Sequence, residues 1–129
     1  ARLMSQALRN EDVTIFGDGT QTRSFCYGSD LVDGLLRLMA TKTTDPVNIG
    51  TGQETRIRDL SEMISELAGY EGKTVWDDSR PDGQPKRSLD VSRARELIGF
   101  VAETPLDEGL RRTVESFRAS ALAAAGSTA

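Results

Sequence analysis

Arg23 stands directly behind the turn Gly17-Asp18-Gly19, between the β-rich runs Val13-Thr14-Ile15-Phe16 and Ser24-Phe25-Cys26-Tyr27. Glycines let a backbone bend sharply and approach a ligand closely. A guanidinium held just past such a turn presents a rigid fork of donors suited to phosphate. The plain alternative for Arg23 is a surface ion pair, worth about 0–1 kcal/mol. Other chemistry is scarce. The chain has no histidine, which removes the commonest general base and metal ligand. Cys26 is the single cysteine, so an internal disulfide is impossible and a zinc cluster is not expected. Its simplest reading is a small buried apolar residue, and Trp76 reads as core.

These groups sit on a chain of 129 residues, enough for one small domain with one modest core. Apolar residues make up 37% and charged residues 28%, which is ordinary for a globular protein. The net charge of −4 argues against general nucleic-acid binding, so any anion site must be local. No apolar run approaches the length of a membrane span and no signal peptide is visible, so a soluble, cytoplasmic protein is expected.

Periodicity supplies the elements. Leu3, Met4, Ala7 and Leu8 have helical spacing from the first residues, with no cap before them. That start reads as a cut through a longer chain, with loss of an initiator methionine before Ala1 as the alternative. Strands are expected at about 12–16 and 24–27. Ser29 can cap a helix to about Ala40, in which Leu31, Val32, Leu35, Leu36, Leu38 and Met39 make a wide apolar face and Gly34 costs roughly 1 kcal/mol. Pro46 to Gly50 reads as a short strand, Thr51 to Glu54 as a loop, and Thr55 as a cap. Ile57, Leu60, Ile64 and Leu67 share one face of a helix stopped by Gly69. Lys73 to Trp76 reads as a strand and Asp77 to Gln84 as a loop holding Pro81 and Gly83. Asp90 opens a helix through Ile98, ended by Gly99. Thr104, Pro105 and Asp107 mark the start of a last helix, whose stripe is Leu106, Leu110, Val114 and Phe117. Residues 119–129 are expected to form a disordered tail behind a lobe of residues 1–118.

Four blocks carry a resemblance. They are Gly17-Asp18-Gly19-Thr20-Gln21-Thr22-Arg23-Ser24-Phe25-Cys26-Tyr27 with Ser29-Asp30-Leu31-Val32-Asp33-Gly34-Leu35; Pro46-Val47-Asn48-Ile49-Gly50-Thr51-Gly52; Arg80-Pro81-Asp82-Gly83-Gln84-Pro85-Lys86-Arg87 with Asp90-Val91-Ser92-Arg93-Ala94; and Gly99-Phe100 with Thr104-Pro105-Leu106-Asp107-Glu108-Gly109-Leu110. In this order they resemble the C-terminal, substrate-binding lobe of the extended short-chain dehydrogenases/reductases, the NAD-dependent epimerases/dehydratases. The first block is most similar to UDP-glucuronate decarboxylases and the Pro81-Asp82-Gly83 block to GDP-fucose synthases, which leaves the nucleotide open. The resemblance implies a mixed α/β lobe of four to five helices and two small β-sheets, without the Rossmann half. It implies a nucleotide-sugar grip in which Arg23 and Arg80 clamp the diphosphate. Asp82 would accept from a ribose hydroxyl, Lys86 or Arg87 would share the anion, and Val13, Thr14 and Ile15 would meet the base through their backbone. Asn48 is a ligand contact or a satisfied structural amide. For Arg80, Lys86 and Arg87 the alternative is a solvated loop charge.

Three departures bear on activity. The family binds NAD on a glycine-rich turn, and the nearest match, Gly50-Thr51-Gly52-Gln53-Glu54-Thr55, has threonine where close helix packing wants the third glycine. The family's catalytic pair is a tyrosine with a lysine four residues on, a spacing that lets the ammonium lower the phenol's pKa. Here Tyr27 is followed at four by Leu31, and Tyr70 at three by Lys73. Gly28-Ser29-Asp30 stands where relatives often carry Val-Asp-Asp. No catalytic, cofactor-binding or metal-ligating residue is therefore assigned; NAD belongs to full-length relatives. The leading expectation is a UDP- or GDP-sugar-binding lobe of a truncated relative, without catalysis alone. The alternatives are an enzyme completed by a second chain bearing the Rossmann half, and a noncatalytic module that self-associates as a homodimer.

Overall fold

A computed structural model describes residues 2–81 and 83–126. Helix α1 (Arg2–Leu8) leads into β1 (Val13–Phe16), and β2 (Thr22–Arg23) into α2 (Gly28–Met39). Then come β3 (Thr55–Arg56), α3 (Ile57–Ala68), β4 (Thr74–Asp77), β5 (Lys86–Arg87), α4 (Ser92–Ile98) and α5 (Leu106–Gly126). Two small sheets organise them. In one, β1 runs parallel to β4, with Val13 opposite Thr74 and Phe16 opposite Asp77. In the other, β2 lies between antiparallel β3 and parallel β5. Among the described residues, five helices with two small sheets make the mixed architecture that the resemblance implies.

The main core follows from two periodicities. Along β1, Val13 and Ile15 alternate inward and each is 1% exposed. Met4 and Ala7 of α1, Leu60 and Ile64 of α3 and Val114 of α5 close over them, one face from each helix. The α3 stripe is the expected one, and Gly69 ends that helix in the left-handed conformation, φ 62. A smaller cluster lies beneath α2. There Gly34 is the helix's one buried residue, and a Cβ on it would collide with Ile49 and press tightly on the Phe100 ring. Gly34 is thus a packing point rather than only a weak spot in the helix.

Several expected elements differ. The second strand lies at Thr22–Arg23, because only there do β3 and β5 pass within ladder reach; Ser24 to Tyr27 continue without a ladder. Residues 46–50 form no strand, since no partner runs beside them. Ser29 lies inside α2, whose N-cap is Tyr27 without a side-chain cap bond. The capping carboxylate beside it, Asp30, serves another helix. Its Oδ2 accepts from the backbone N–H groups of Glu103 and Thr104, and Oδ1 from the Thr104 hydroxyl, just ahead of α5. Thr55 belongs to β3 and α3 is entered from Arg56. Trp76 is 40% exposed rather than core. Helix α5 continues past Arg118 to Gly126, and residues 127–129 lie outside the described residues. Among the described residues no helix is long and apolar enough to cross a membrane.

Candidate functional site

The turn between β1 and β2 is rigidly made. Gly17 and Gly19 have φ of 71 and 77, which favours glycine at both positions. Asp18 Oδ1 accepts from the Thr20 hydroxyl at 2.6 Å and from the Thr20 N–H at 2.9 Å. Those bonds hold its carboxyl below the usual range. Outside the turn, Trp76 covers Gly19, and Arg58 donates to the Asp18 carbonyl at 2.8 Å with its guanidinium 4.9 Å from the Trp76 ring. The turn cannot swing without breaking these contacts.

Arg23 emerges from this frame on β2. Its Nη1 donates to the carbonyls of Thr22 at 2.6 Å and Gln84 at 2.8 Å, so it ties the hairpin to the loop behind Arg80. It lines a cleft of about 210 Å³ together with Arg2, Leu3, Ile15, Phe16, Gln21 and Ile57. The Arg2 guanidinium lies 4.2 Å from the Phe16 ring centroid and donates to the Thr14 carbonyl at 3.2 Å. The Arg80 guanidinium is 5.8 Å from the same ring, with Nε 3.9 Å from Asp77. Arg2 and Arg23 thus line the cleft, and Phe16 holds Arg80 beside it. A cleft edged this way suits a multiply charged anion.

The remaining candidates distribute as follows. Arg87 pairs in register with Arg23 across β2 and β5 and is exposed. Lys86 is engaged by Glu54 at 2.7 Å, and that contact, with a bond from Thr22, holds Glu54 below its usual range. The Val13 N–H is taken by the Lys73 carbonyl and the Tyr70 hydroxyl. Ile15 lines the cleft from the core. The backbone groups on the open edge of β1 are those of Thr14 and Phe16, met by the side chains of Arg2, Gln6 and Gln21. Asn48 donates to the Asp90 carbonyl at 3.1 Å, a loop tie away from the residues that line the cleft. Asp82 lies outside the described residues.

A larger hollow of about 380 Å³ opens between Phe25, the 51–55 loop and the start of α5. Among the described residues that line it, the charged ones are Glu103 and Asp107, which disfavours an anion there. Cys26, beside it, is half-buried; burial pushes its thiol up, and Asp30 adds to the shift. That disfavours thiolate chemistry. Among the described residues no group of three His, Cys, Asp or Glu side chains could hold a metal ion.

Sequence reasoning missed Arg2, Phe16 and Gln21. Gln21 was legible, since it lies two residues before Arg23 and an extended chain puts such residues on one face. Arg2 gave no signal, because its position depends on how α1 packs over β1.

A model of the NAD dependent epimerase/dehydratase family matches residues 1–50. UDP-glucuronic acid decarboxylase 3 of Arabidopsis thaliana is 42% identical over 118 residues, 92% of this chain and 34% of the relative. A probable GDP-L-fucose synthase 1 of Oryza sativa subsp. japonica is 37% identical over 110 residues, 84% of this chain and 33% of the relative. The crystal structure of UDP-glucose 4-epimerase from Thermotoga maritima with UDP-glucose superimposes with a TM-score of 0.86 at 36% identity, over 92% of this chain and 38% of that one. The chain therefore spans about a third of the length of the curated relatives it matches. By sequence and by fold alike, it belongs to the NAD dependent epimerase/dehydratase family.

Proposed function

We propose that this chain is the nucleotide-sugar-binding lobe of a nucleotide-sugar epimerase, dehydratase or decarboxylase, and that the arginine cleft holds the ligand's diphosphate. The observation that carries this reading is the gathering of Arg2, Arg23 and Arg80 around Phe16 and one cleft. A diphosphate there gains charge-assisted hydrogen bonds, and its two ends are then oriented in opposite directions. A uridine nucleotide is favoured, since two of the three relatives described above are named for a UDP-sugar.

Hydride chemistry in this family is NAD's, and the described residues do not fit that group. The Gly50-Thr51-Gly52 turn does not open a helix: β3 intervenes before α3. A pyrophosphate there would find no helix N-terminus. Neither tyrosine is poised as a base beside a lysine. The Tyr70 hydroxyl is committed to the Lys73 carbonyl at 2.7 Å and the Val13 N–H at 3.1 Å. This segment's residues bind and orient; the cofactor site and the tyrosine–lysine pair come from outside it, on the rest of a longer protein or on a second chain.

Calorimetric titration with UDP-glucose, UDP-glucuronic acid and a GDP-sugar tests the reading. Arg23→Ala is expected to weaken binding by about 10–100-fold, the loss of one or two charge-assisted bonds. Arg80→Ala is expected to act in the same direction and less, since Arg80 reaches the cleft only through Phe16. Unchanged affinity in Arg23→Ala would overturn the assignment.

A second reading rests on α2, where Leu31, Val32, Leu35, Leu36 and Met39 are all exposed. A contiguous apolar face of this kind marks an interaction surface. In this reading the chain self-associates as a homodimer or docks a nucleotide-binding half. Sedimentation of the wild type against Leu36→Ser/Met39→Ser separates a self-associating chain from a monomer.

A further inference from the structure

The two edges of the β1–β4 sheet are finished differently. Along β1, the side chains of Arg2, Gln6 and Gln21 meet the outward backbone groups of Thr14 and Phe16. Along β4 the inward groups are those that pair: the Lys73 and Asp77 carbonyls accept from Val13 and Gly17. By alternation the N–H and C=O groups of Thr74 and Trp76 point away from β1. Among the described residues no further strand lies on that side. Residues 74–76 hold no charge and no proline, and Val75 and Trp76 are each 40% exposed. The other sheet keeps its outer strands to two residues each. A longer edge left bare is a template for another strand. Beneath it is a hollow of about 390 Å³, which Ser61 and Glu62 of α3 line together with Thr74 and Trp76. Helix α3 covers β1 and stops short of β4.

We infer that β4 pairs antiparallel with β4 of a second copy of this chain, about a two-fold axis through Val75. Charge selects both the occupant and the register. The run Lys73-Thr74-Val75-Trp76-Asp77 is complementary to itself, since this axis sets Lys73 opposite the partner's Asp77 at both ends. An axis through Thr74 would set Asp77 opposite the partner's Glu71, and one through Trp76 would set Lys73 opposite the partner's Ser79. Asp77 can take part, because Ser79 occupies its Oδ1 while Oδ2 has only the Arg80 Nε at 3.9 Å. In the chosen register Thr74 exchanges both backbone bonds with the partner's Trp76. A β-branched residue then stands against an aromatic ring, a favourable cross-strand pair, at the mouth of the hollow. This surface is separate from the α2 face and does not depend on what the cleft holds.

Oxidative cross-linking and sedimentation of the full chain test this. On the axis, Val75 faces the partner's Val75 in a non-hydrogen-bonded pair, with Cα atoms about 4.5 Å apart, which a disulfide can span. In a Cys26→Ala background, Val75→Cys is expected to form a disulfide-linked dimer under mild oxidation. Thr44→Cys, at an exposed residue of the loop after α2, is expected to link at least about tenfold more slowly. In sedimentation the wild type is expected to dimerise reversibly. Lys73→Glu should raise the dissociation constant about tenfold, because like charges then face each other at both ends. Leu36→Ser/Met39→Ser should leave it unchanged. Linking at Val75 no faster than at Thr44 overturns the inference. So does a wild type that stays monomeric up to about 1 mM. A dimer lost in Leu36→Ser/Met39→Ser but kept in Lys73→Glu also overturns it, and assigns the association to α2.

Discussion

Helices α2 and α3 are both twelve residues long and both carry an apolar face, yet the chain treats them oppositely. α3 buries Leu60, Ser61 and Ile64 against α1, β1 and α5. α2 buries only Gly34, and its large side chains remain exposed, Met39 at 80%. An amphipathic pattern reports that a face wants covering. It does not report whether the cover is in the same chain. α3 is therefore a structural element of the cleft, supporting β1 and the Phe16–Arg23 hairpin, whereas α2 is held at a few points and presents the rest outward.

The largest effect expected from this contrast is at α3. Leu60→Ala should cost about 2–5 kcal/mol in urea unfolding, because its neighbours cannot collapse into the space. A loss below 1 kcal/mol would mean that α3 is no better anchored than α2. Next is the one tight point of α2. Gly34→Ala should destabilise by about 1–3 kcal/mol through collision with Ile49 and pressure on the Phe100 ring, outweighing the roughly 1 kcal/mol that alanine gains in a helix. A stabilised variant would show that this contact yields easily.

Asp30→Ala should cost about 1 kcal/mol by uncapping the start of α5, read by the same melts. Burial pushes the Asp30 carboxyl up, but its bonds from Thr104 and Glu103 outweigh that and hold it below the ordinary aspartate value. A depressed folded-state pKa means that the unfolded chain binds the proton more readily. The contribution is then full above the ordinary aspartate value and fades as pH falls through the depressed one. The gap between wild type and Asp30→Ala should accordingly narrow on going from pH 7 to pH 3. The smallest effect is expected on the open face. Met39→Ser should change stability by no more than about 0.5 kcal/mol, and a larger loss would show α2 to be covered in solution.

Much of the frame was legible because it is local. The α3 stripe, the Gly69 stop and the Gly17-Asp18-Gly19 turn each follow from residues within a few positions of one another. What was not legible depends on distant partners. Ser24 to Tyr27 have β-forming composition but no ladder, because β3 and β5 flank only Thr22 and Arg23. Asp30 secures a helix start more than seventy positions away, which no local pattern signals. Trp76 has the composition of a core residue, yet it lies against a turn and an arginine, where a half-exposed ring is sufficient. In the cleft, Arg23 was visible from its turn, whereas Arg2 depends on α1 crossing β1.

The parallel alignment of β1 with β4 has a consequence for how the molecule is made. Parallel neighbours cannot be joined by a tight hairpin, and here everything from β2 to the end of α3 intervenes. During synthesis the ladder edge of β1 stays unpaired until residue 77 has left the ribosome, and the Val13 and Ile15 side chains wait longer, for Val114 of α5 to close over them. Distant pairings of this kind close slowly. The nascent segment is therefore exposed to misassociation until then, and a chaperone that shields β1 should raise the yield more than one acting on the finished protein.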